Sequence, residues 1–410
     1  MREHNLHTLA NGLRIIHESS PTEVLYCGYT VDAGTRDEDL NEQGMAHFCE
    51  HMAFKGTERR KSWHILNGLE RVGGDLNAYT NKEETVYYAA VLKEDFTRAA
   101  DLLTDIVFHS IYPQKEIDKE IEVIIDEIES YKDSPSEQIF DDFENILFCG
   151  HSLGRSILGT PEHLRSFRTE DALRFVKRLY CPSNVTFFVY GKIDFSKIIH
   201  TIEKLTADIP SGSPIKNSLQ LPEYRPQTHK INLQTHQAHV MIGNRCYSAY
   251  DKKRVGLFLL NNLLGGPGMN SRLNLSLRER HGLVYTVESN LSSYTDTGVW
   301  NIYFGCDNKD IDLCRELVSI ELRRMTEEPL TKTQLSAAKK QLKGQIGISC
   351  DNFENYALSM GKIYTHYNHY RDIDKLYEQI EALTSEQLLE IAQEIFDENQ
   401  LSTLLYENKA

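Results

Sequence analysis

The segment His47-Phe48-Cys49-Glu50-His51 constrains this chain more than any other. Two histidines stand four residues apart, with a glutamate directly before the second. A helix advances about 100° per residue, so positions 47, 50 and 51 fall on one face. His47 and His51 can grip one metal ion through their imidazoles, while Glu50 stands beside them without being a ligand. Cys49 points roughly to the opposite side, which makes it a poor fourth ligand despite its softness.

The order H-x-x-E-H is the inverted form of a zinc-hydrolase helix. The plainer alternative is a helix carrying two incidental histidines. The chain has 16 histidines, so a chance match somewhere has odds on the order of a few percent. The motif therefore needs a third ligand and a substrate site. Behind Pro113, Ile117, Ile121, Ile124, Ile125 and Ile128 recur at helical spacing to about residue 131. Interleaved are Glu116, Glu120, Glu122, Asp126, Glu127 and Glu129, most of which belong to a solvated face. Glu120 and Glu127 lie seven apart and flank the isoleucine stripe, where a carboxylate can face a neighbouring helix. The spacing offers several third ligands and does not choose among them.

A chain of 410 residues exceeds one ordinary core, and two domains of about 200 residues each are expected. With 40% hydrophobic and 26% charged residues it reads as a soluble globular protein, without an apolar run long enough for a membrane. The polar start, Met1 to Asn5, lacks the apolar core of a signal peptide. Eight cysteines are scattered without C-x-x-C pairs, which suits a reducing cytoplasm and not a disulfide framework. A formal charge of −15 argues against a nucleic-acid partner and permits a cavity preferring basic or neutral substrates.

Strands are expected at 12–18 and 24–33, the motif helix next, a helix near 61–72, and paired strands at 76–80 and 84–92. Helices follow at 94–110, 113–131, 137–148 and 161–179, then a strand at 184–190 and a helix at 194–207. A polar stretch around Pro210-Ser211-Gly212-Ser213-Pro214, running to Pro226, reads as a linker. Beyond it the order repeats: strands at 228–235 and 238–246, helices at 251–264 and 270–281, strands at 284–292 and 297–306, several long helices, and a strand at 402–406. The reading is α+β, an internal duplication with domains 1–212 and 227–410 joined by 213–226. Only the first half carries the H-x-x-E-H motif.

Three segments together, Gly44 to Thr57 around the motif, Leu76-Asn77-Ala78-Tyr79-Thr80, and Leu153-Gly154-Arg155-Ser156-Ile157-Leu158-Gly159, resemble the pitrilysin, insulin-degrading enzyme and mitochondrial processing peptidase family of inverted-motif zinc peptidases. The likeness covers nearly the whole chain and is nearest to the short bacterial type. It implies two homologous α/β-roll domains, each a mostly antiparallel sheet packed by helices. It implies one Zn2+ per chain held by His47, His51 and Glu127, the last about 75 residues beyond His51. Glu50 would serve as general base, with Glu120 supporting the site one heptad before Glu127. Arg278 and Tyr285, seven residues apart, would hold substrate or the developing oxyanion from the second half, the two halves closing on each other. Asn77, Ala78 and Tyr79 would pair with an extended peptide by strand addition.

The expected function is a zinc-dependent endopeptidase acting on peptides or unfolded segments in a closing two-domain chamber. Its alternative is a non-catalytic or regulatory peptide-binding subunit of a two-chain peptidase. A homodimer is expected, with a heterodimer with a related chain as the other arrangement. Without the resemblance, Arg278 and Tyr285 would read as a surface arginine and a core tyrosine, and Asn77 as a turn residue. The pairs His236/His239 and His366/His369 lack a glutamate at useful spacing and read as structural. Gly265-Gly266-Pro267-Gly268 lacks the lysine-hydroxyl ending of a phosphate loop and reads as a flexible joint.

Overall fold

A computed structural model describes residues 4–216 and 219–408. The chain forms two compact units: unit 1 comprises 1–129, 155–219 and 349–371, and unit 2 comprises 130–154, 220–348 and 372–410.

Unit 1 is built on six strands: β1 (His4–Thr8), β2 (Arg14–Glu18), β3 (Val24–Val31), β4 (Asp75–Thr80), β5 (Thr85–Leu92) and β6 (Val185–Tyr190). Their order is β1-β2-β6-β3-β5-β4, with β2 parallel to β6 and every other pair antiparallel. β3 and β6 are central and almost wholly buried, as their β-branched and aromatic content requires. β4 lies at the sheet edge. Helices Met45–Ala53, Phe96–Phe108 and Gln114–Lys132 bury their apolar faces in one continuous core with the strands.

Unit 2 carries β7 (Thr228–Asn232), β8 (Ala238–Cys246), β9 (Val284–Ser293), β10 (Gly298–Cys306) and β11 (Ser402–Glu407), in the order β7-β11-β8-β10-β9. This repeats β2-β6-β3-β5-β4 strand for strand, down to the single parallel pair, β7 with β11. The α+β class and the duplicated plan are thus both present, each sheet being mostly antiparallel.

Four details differ from the sequence expectation. The strand β1 escaped notice because its residues are polar and mostly exposed. The stretch 161–179 is two helices, Pro161–Ser166 and Thr169–Leu179. Phe167 between them is extended and buried, with its ring 5.2 Å from that of Phe48. The stretch 270–281 contains a π-helix, Asn274–Arg280, in place of a regular α-helix. Finally, the units do not follow a linear division at 212 and 227, because each half lends a helix to the other unit. Helix Pro135–Leu147 packs on β8 and β11, and helix Phe353–Tyr367 packs on β3 and β6. Gly361 permits the second contact: a Cβ there would lie 2.5 Å from the Phe188 ring and 2.7 Å from the Thr30 hydroxyl.

The lent helix is also tied by charge. Glu84, fully buried beside β5, receives Lys362 Nζ at 2.7 Å and faces His366 Nε2 at 3.1 Å. Burial alone would raise the Glu84 pKa, but His366 and Lys362 outweigh it and hold the carboxyl at about 2. A carboxyl depressed from its ordinary 4.5 contributes stability that is complete above that pH and fades as pH falls toward 2. The shift corresponds to about 3 kcal/mol. Thermal melts of wild type and Glu84→Gln between pH 7 and 3 should differ most at neutral pH and converge on acidification. A constant gap would mean that Glu84 contributes by packing alone.

Candidate metal centre

The motif helix Met45–Ala53 starts at Gly44, whose φ of +91° is the left-handed conformation glycine favours. A Cβ there would also lie 2.7 Å from the Leu158 carbonyl and 2.8 Å from Gly159 Cα. Glu38 caps the helix: its carboxylate accepts from Gly44 N at 3.0 Å and Ala46 N at 2.9 Å. Burial pushes the Glu38 pKa up to about 8, with these two bonds opposing the rise. Met45, Phe48, Cys49 and Met52 point into the unit 1 core. Cys49 is fully buried there, away from the histidine face.

The opposite face presents His47, Glu50 and His51. The histidine rings lie 4.5 Å apart, centroid to centroid. Glu127, on helix Gln114–Lys132, places Oε2 3.9 Å from His47 Nε2 and 3.7 Å from His51 Nε2. The three donor atoms all lie within 4.8 Å of one another, the one such group of three among the described residues. Ligands held by zinc at about 2.1 Å in tetrahedral geometry stand about 3.4 Å apart, so small side-chain adjustments would seat an ion.

The neutral ring of His47 suits a metal ligand. Burial, reinforced by neighbouring His51, lowers the His47 pKa to about 3, keeping its ring neutral. His47 Nδ1 is buried without a hydrogen-bond partner. His51 Nδ1 lies 3.0 Å from Glu120 Oε1, and Lys55 Nζ lies 2.6 Å from Glu120 Oε2. A proton on Nδ1, donated to Glu120, leaves the Nε2 lone pair for an ion. Burial works against protonating His51, yet Glu120, Glu50 and Glu127 outweigh it and raise its pKa. Burial likewise works to raise Glu120, but His51 and Lys55 hold its carboxyl below the usual range. Glu120 thus touches a histidine and a lysine and stands behind His51. Of the two carboxylates left open by the helical spacing, Glu127 stands in the three-donor group and Glu120 against His51 Nδ1.

Glu50 is buried, and burial raises its pKa against the opposing bond from Thr80. Thr80 Oγ1 donates to Glu50 Oε2 at 2.7 Å. Thr80, Glu38 and Lys55 escaped the sequence reading. Thr80 and Lys55 lie inside the segments that carry the family resemblance, which was their signal; Glu38 had none beyond residue type.

Asn77, Ala78 and Tyr79 lie on β4, paired on one side with Tyr88, Tyr87 and Val86 of β5. No described strand pairs with the other side of β4. In unit 2, Arg278 is on the π-helix and Tyr285 on β9, an edge strand of that sheet. Arg278 Cζ lies 5.7 Å from the Tyr285 ring centroid, a cation–π contact, and Tyr285 is 81% exposed. Tyr285 is therefore no core residue, and π-helical turns recur at functional sites. The turn between the two is set by Gly282 at φ +63° and a bond from Leu283 N to Leu277 O at 3.0 Å.

The other histidine pairs form no three-residue metal group among the described residues. His239 Nδ1 meets the Tyr303 hydroxyl at 2.9 Å, and His366 is held between Glu84 and Asp32. Gly265 and Gly266 are closely packed. Cβ atoms there would lie 2.7 Å from Ser289 N and 2.6 Å from the Asn262 carbonyl.

Comparison with known proteins accords with this geometry. Residues 14–161 match the family model described as Insulinase (Peptidase family M16), and residues 166–342 match that of the Peptidase M16 inactive domain. The chain is 32% identical over 400 residues to "Uncharacterized zinc protease YmxG" of Bacillus subtilis, covering 97% of each chain. It is 30% identical over 398 residues to the mitochondrial-processing peptidase subunit beta of Bos taurus, covering 93% of this chain and 80% of that one. The fold is shared with a protease from Helicobacter pylori at a TM-score of 0.90, with 21% identity over 99% of this chain and 100% of that one. No helix among the described residues is long and apolar enough to cross a membrane. With both family models matched in tandem and relatives aligned along nearly its full length, the chain belongs to the insulinase family of peptidases, M16.

Proposed function

We propose that the chain is a zinc-dependent endopeptidase that cleaves peptides or unfolded segments, with one zinc ion per chain held by His47, His51 and Glu127. The observation that carries this reading is the convergence of those three donors within 4.8 Å, with the Glu50 carboxylate beside them on the same helix face. Relatives named as zinc proteases support zinc as the metal. When bound, zinc supplies the Lewis acidity that polarises a scissile carbonyl and makes a water molecule acidic.

Glu50 takes the proton from the attacking water and later passes it to the leaving amine. Oε2 accepts from Thr80, and Oε1 is the oxygen outside that bond. An extended peptide adds to the open edge of β4 at Asn77, Ala78 and Tyr79, read mainly through its backbone, so broad sequence tolerance follows. Arg278 and Tyr285 hold substrate through the guanidinium and the phenol, a role supported by their mutual contact and the exposure of Tyr285. Eight cysteines without a disulfide suit a reducing cytoplasm.

Metal analysis and hydrolysis of a fluorogenic peptide library test the reading together. The expected result is one zinc per chain, turnover of unstructured peptides, loss of turnover with a chelator and recovery on adding zinc. A zinc-loaded chain without turnover would instead mark a peptide-binding subunit.

A further inference from the structure

We propose that Thr80 is a positioning residue for Glu50, coupling the strand that receives the peptide to the group that moves the proton. The inference rests on the endopeptidase reading and adds a residue to it. Thr80 ends β4 and is buried, and its hydroxyl reaches Glu50 Oε2 at 2.7 Å. A hydroxyl has one proton to give. The other acceptor nearby, Thr85 Oγ1, is Thr80's partner across β4 and β5 and lies at 3.4 Å. The shorter bond to a charged oxygen takes the proton. The Thr85 hydroxyl is itself committed to the Ala33 carbonyl at 2.9 Å, so it does not compete for Glu50.

Two consequences follow from this geometry. The bond restrains the Glu50 carboxylate through Oε2 and leaves Oε1 outside that bond. The donor is a β-branched residue on a paired strand, with few rotamers available, so carboxylate orientation depends on where β4 sits. A peptide added to the open edge of β4 restrains that strand, and with it Thr80. Substrate binding and base orientation then share one element, and misplacement of a base by about 1 Å can cost about 100-fold in rate.

Thr80→Val deletes the hydroxyl at nearly constant shape, and Thr80→Ser keeps the hydroxyl while removing a methyl. Steady-state kinetics on a fluorogenic peptide, zinc content and thermal melting are measured for the full chain and each variant. In Thr80→Val, kcat should fall by about 10- to 100-fold, with KM within about twofold and zinc content unchanged. Thr80→Ser should recover kcat to within about threefold of wild type. If the valine variant does not fold, Thr80→Ala against Thr80→Ser makes the same comparison. An active wild type beside a Thr80→Val with unchanged kcat overturns the positioning role alone. Loss of zinc in step with kcat, or a loss that serine does not recover, also overturns it. A zinc-loaded wild type without turnover overturns the endopeptidase reading, and the positioning role with it.

Discussion

Glu50→Gln should bind zinc like the wild type and hydrolyse peptides at least about 1,000-fold more slowly. The amide has the shape of the carboxylate, and its oxygen can still accept from Thr80, so the local structure has little reason to change. What it loses is the capacity to take a proton from water. His47, His51 and Glu127 remain, so the donor group for the metal is intact. This separation of metal content from turnover distinguishes Glu50 from the ligands. Glu127→Gln should lower both together, because the amide is a weaker donor for the ion. Metal analysis by mass spectrometry alongside peptide hydrolysis resolves the two patterns. Turnover within tenfold of wild type in Glu50→Gln would remove Glu50 from the role of base. Zinc loss in that variant would make it a ligand.

The side of the site that follows from periodicity was legible in the sequence. His47, Glu50 and His51 share a helix face because 3.6 residues make a turn, and the isoleucines of 117–128 mark the buried stripe of a second helix for the same reason. The same periodicity could not separate Glu120 from Glu127. They stand two turns apart, about 10.5 Å along the axis, on one side of that helix. Only the packing of the two helices brings one to the Nε2 atoms and the other to Nδ1 of His51. Resemblance to a family made the choice that spacing could not. The roles of Thr80 and Glu38 were hidden for a related reason: each acts on a partner brought near by the fold, and although Thr80 stands in a segment that carries the resemblance, its place there does not name Glu50 as its partner. The exchange of helices between the units was hidden as well. The amphipathic pattern of Phe353–Tyr367 reads the same whichever sheet it covers, and only contacts such as Gly361 against Phe188 reveal the seat.

Glu120→Gln should weaken zinc binding by about 10- to 100-fold while sparing turnover at saturating zinc. The carboxylate does two things for His51. It accepts the Nδ1 proton at 3.0 Å, which fixes the tautomer that leaves Nε2 bare, and its negative charge makes that nitrogen a stronger donor. Glutamine loses the second effect outright. It also endangers the first, because its NH2 group can face Nδ1 and favour the opposite tautomer, in which Nε2 carries the proton and cannot hold an ion. Lys55, which now meets Glu120 Oε2 at 2.6 Å, would lose its counter-charge, so a modest fall in melting temperature should accompany the change. Competition against a chromogenic chelator measures the affinity, and activity titrated with added zinc measures recovery. Glu50→Gln and Glu120→Gln should therefore fail in opposite ways, the first loaded and inert, the second active once loaded. Unchanged zinc affinity in Glu120→Gln would reduce the His51–Glu120 contact to packing. Activity that stays lost at saturating zinc would place Glu120 in the proton chemistry itself.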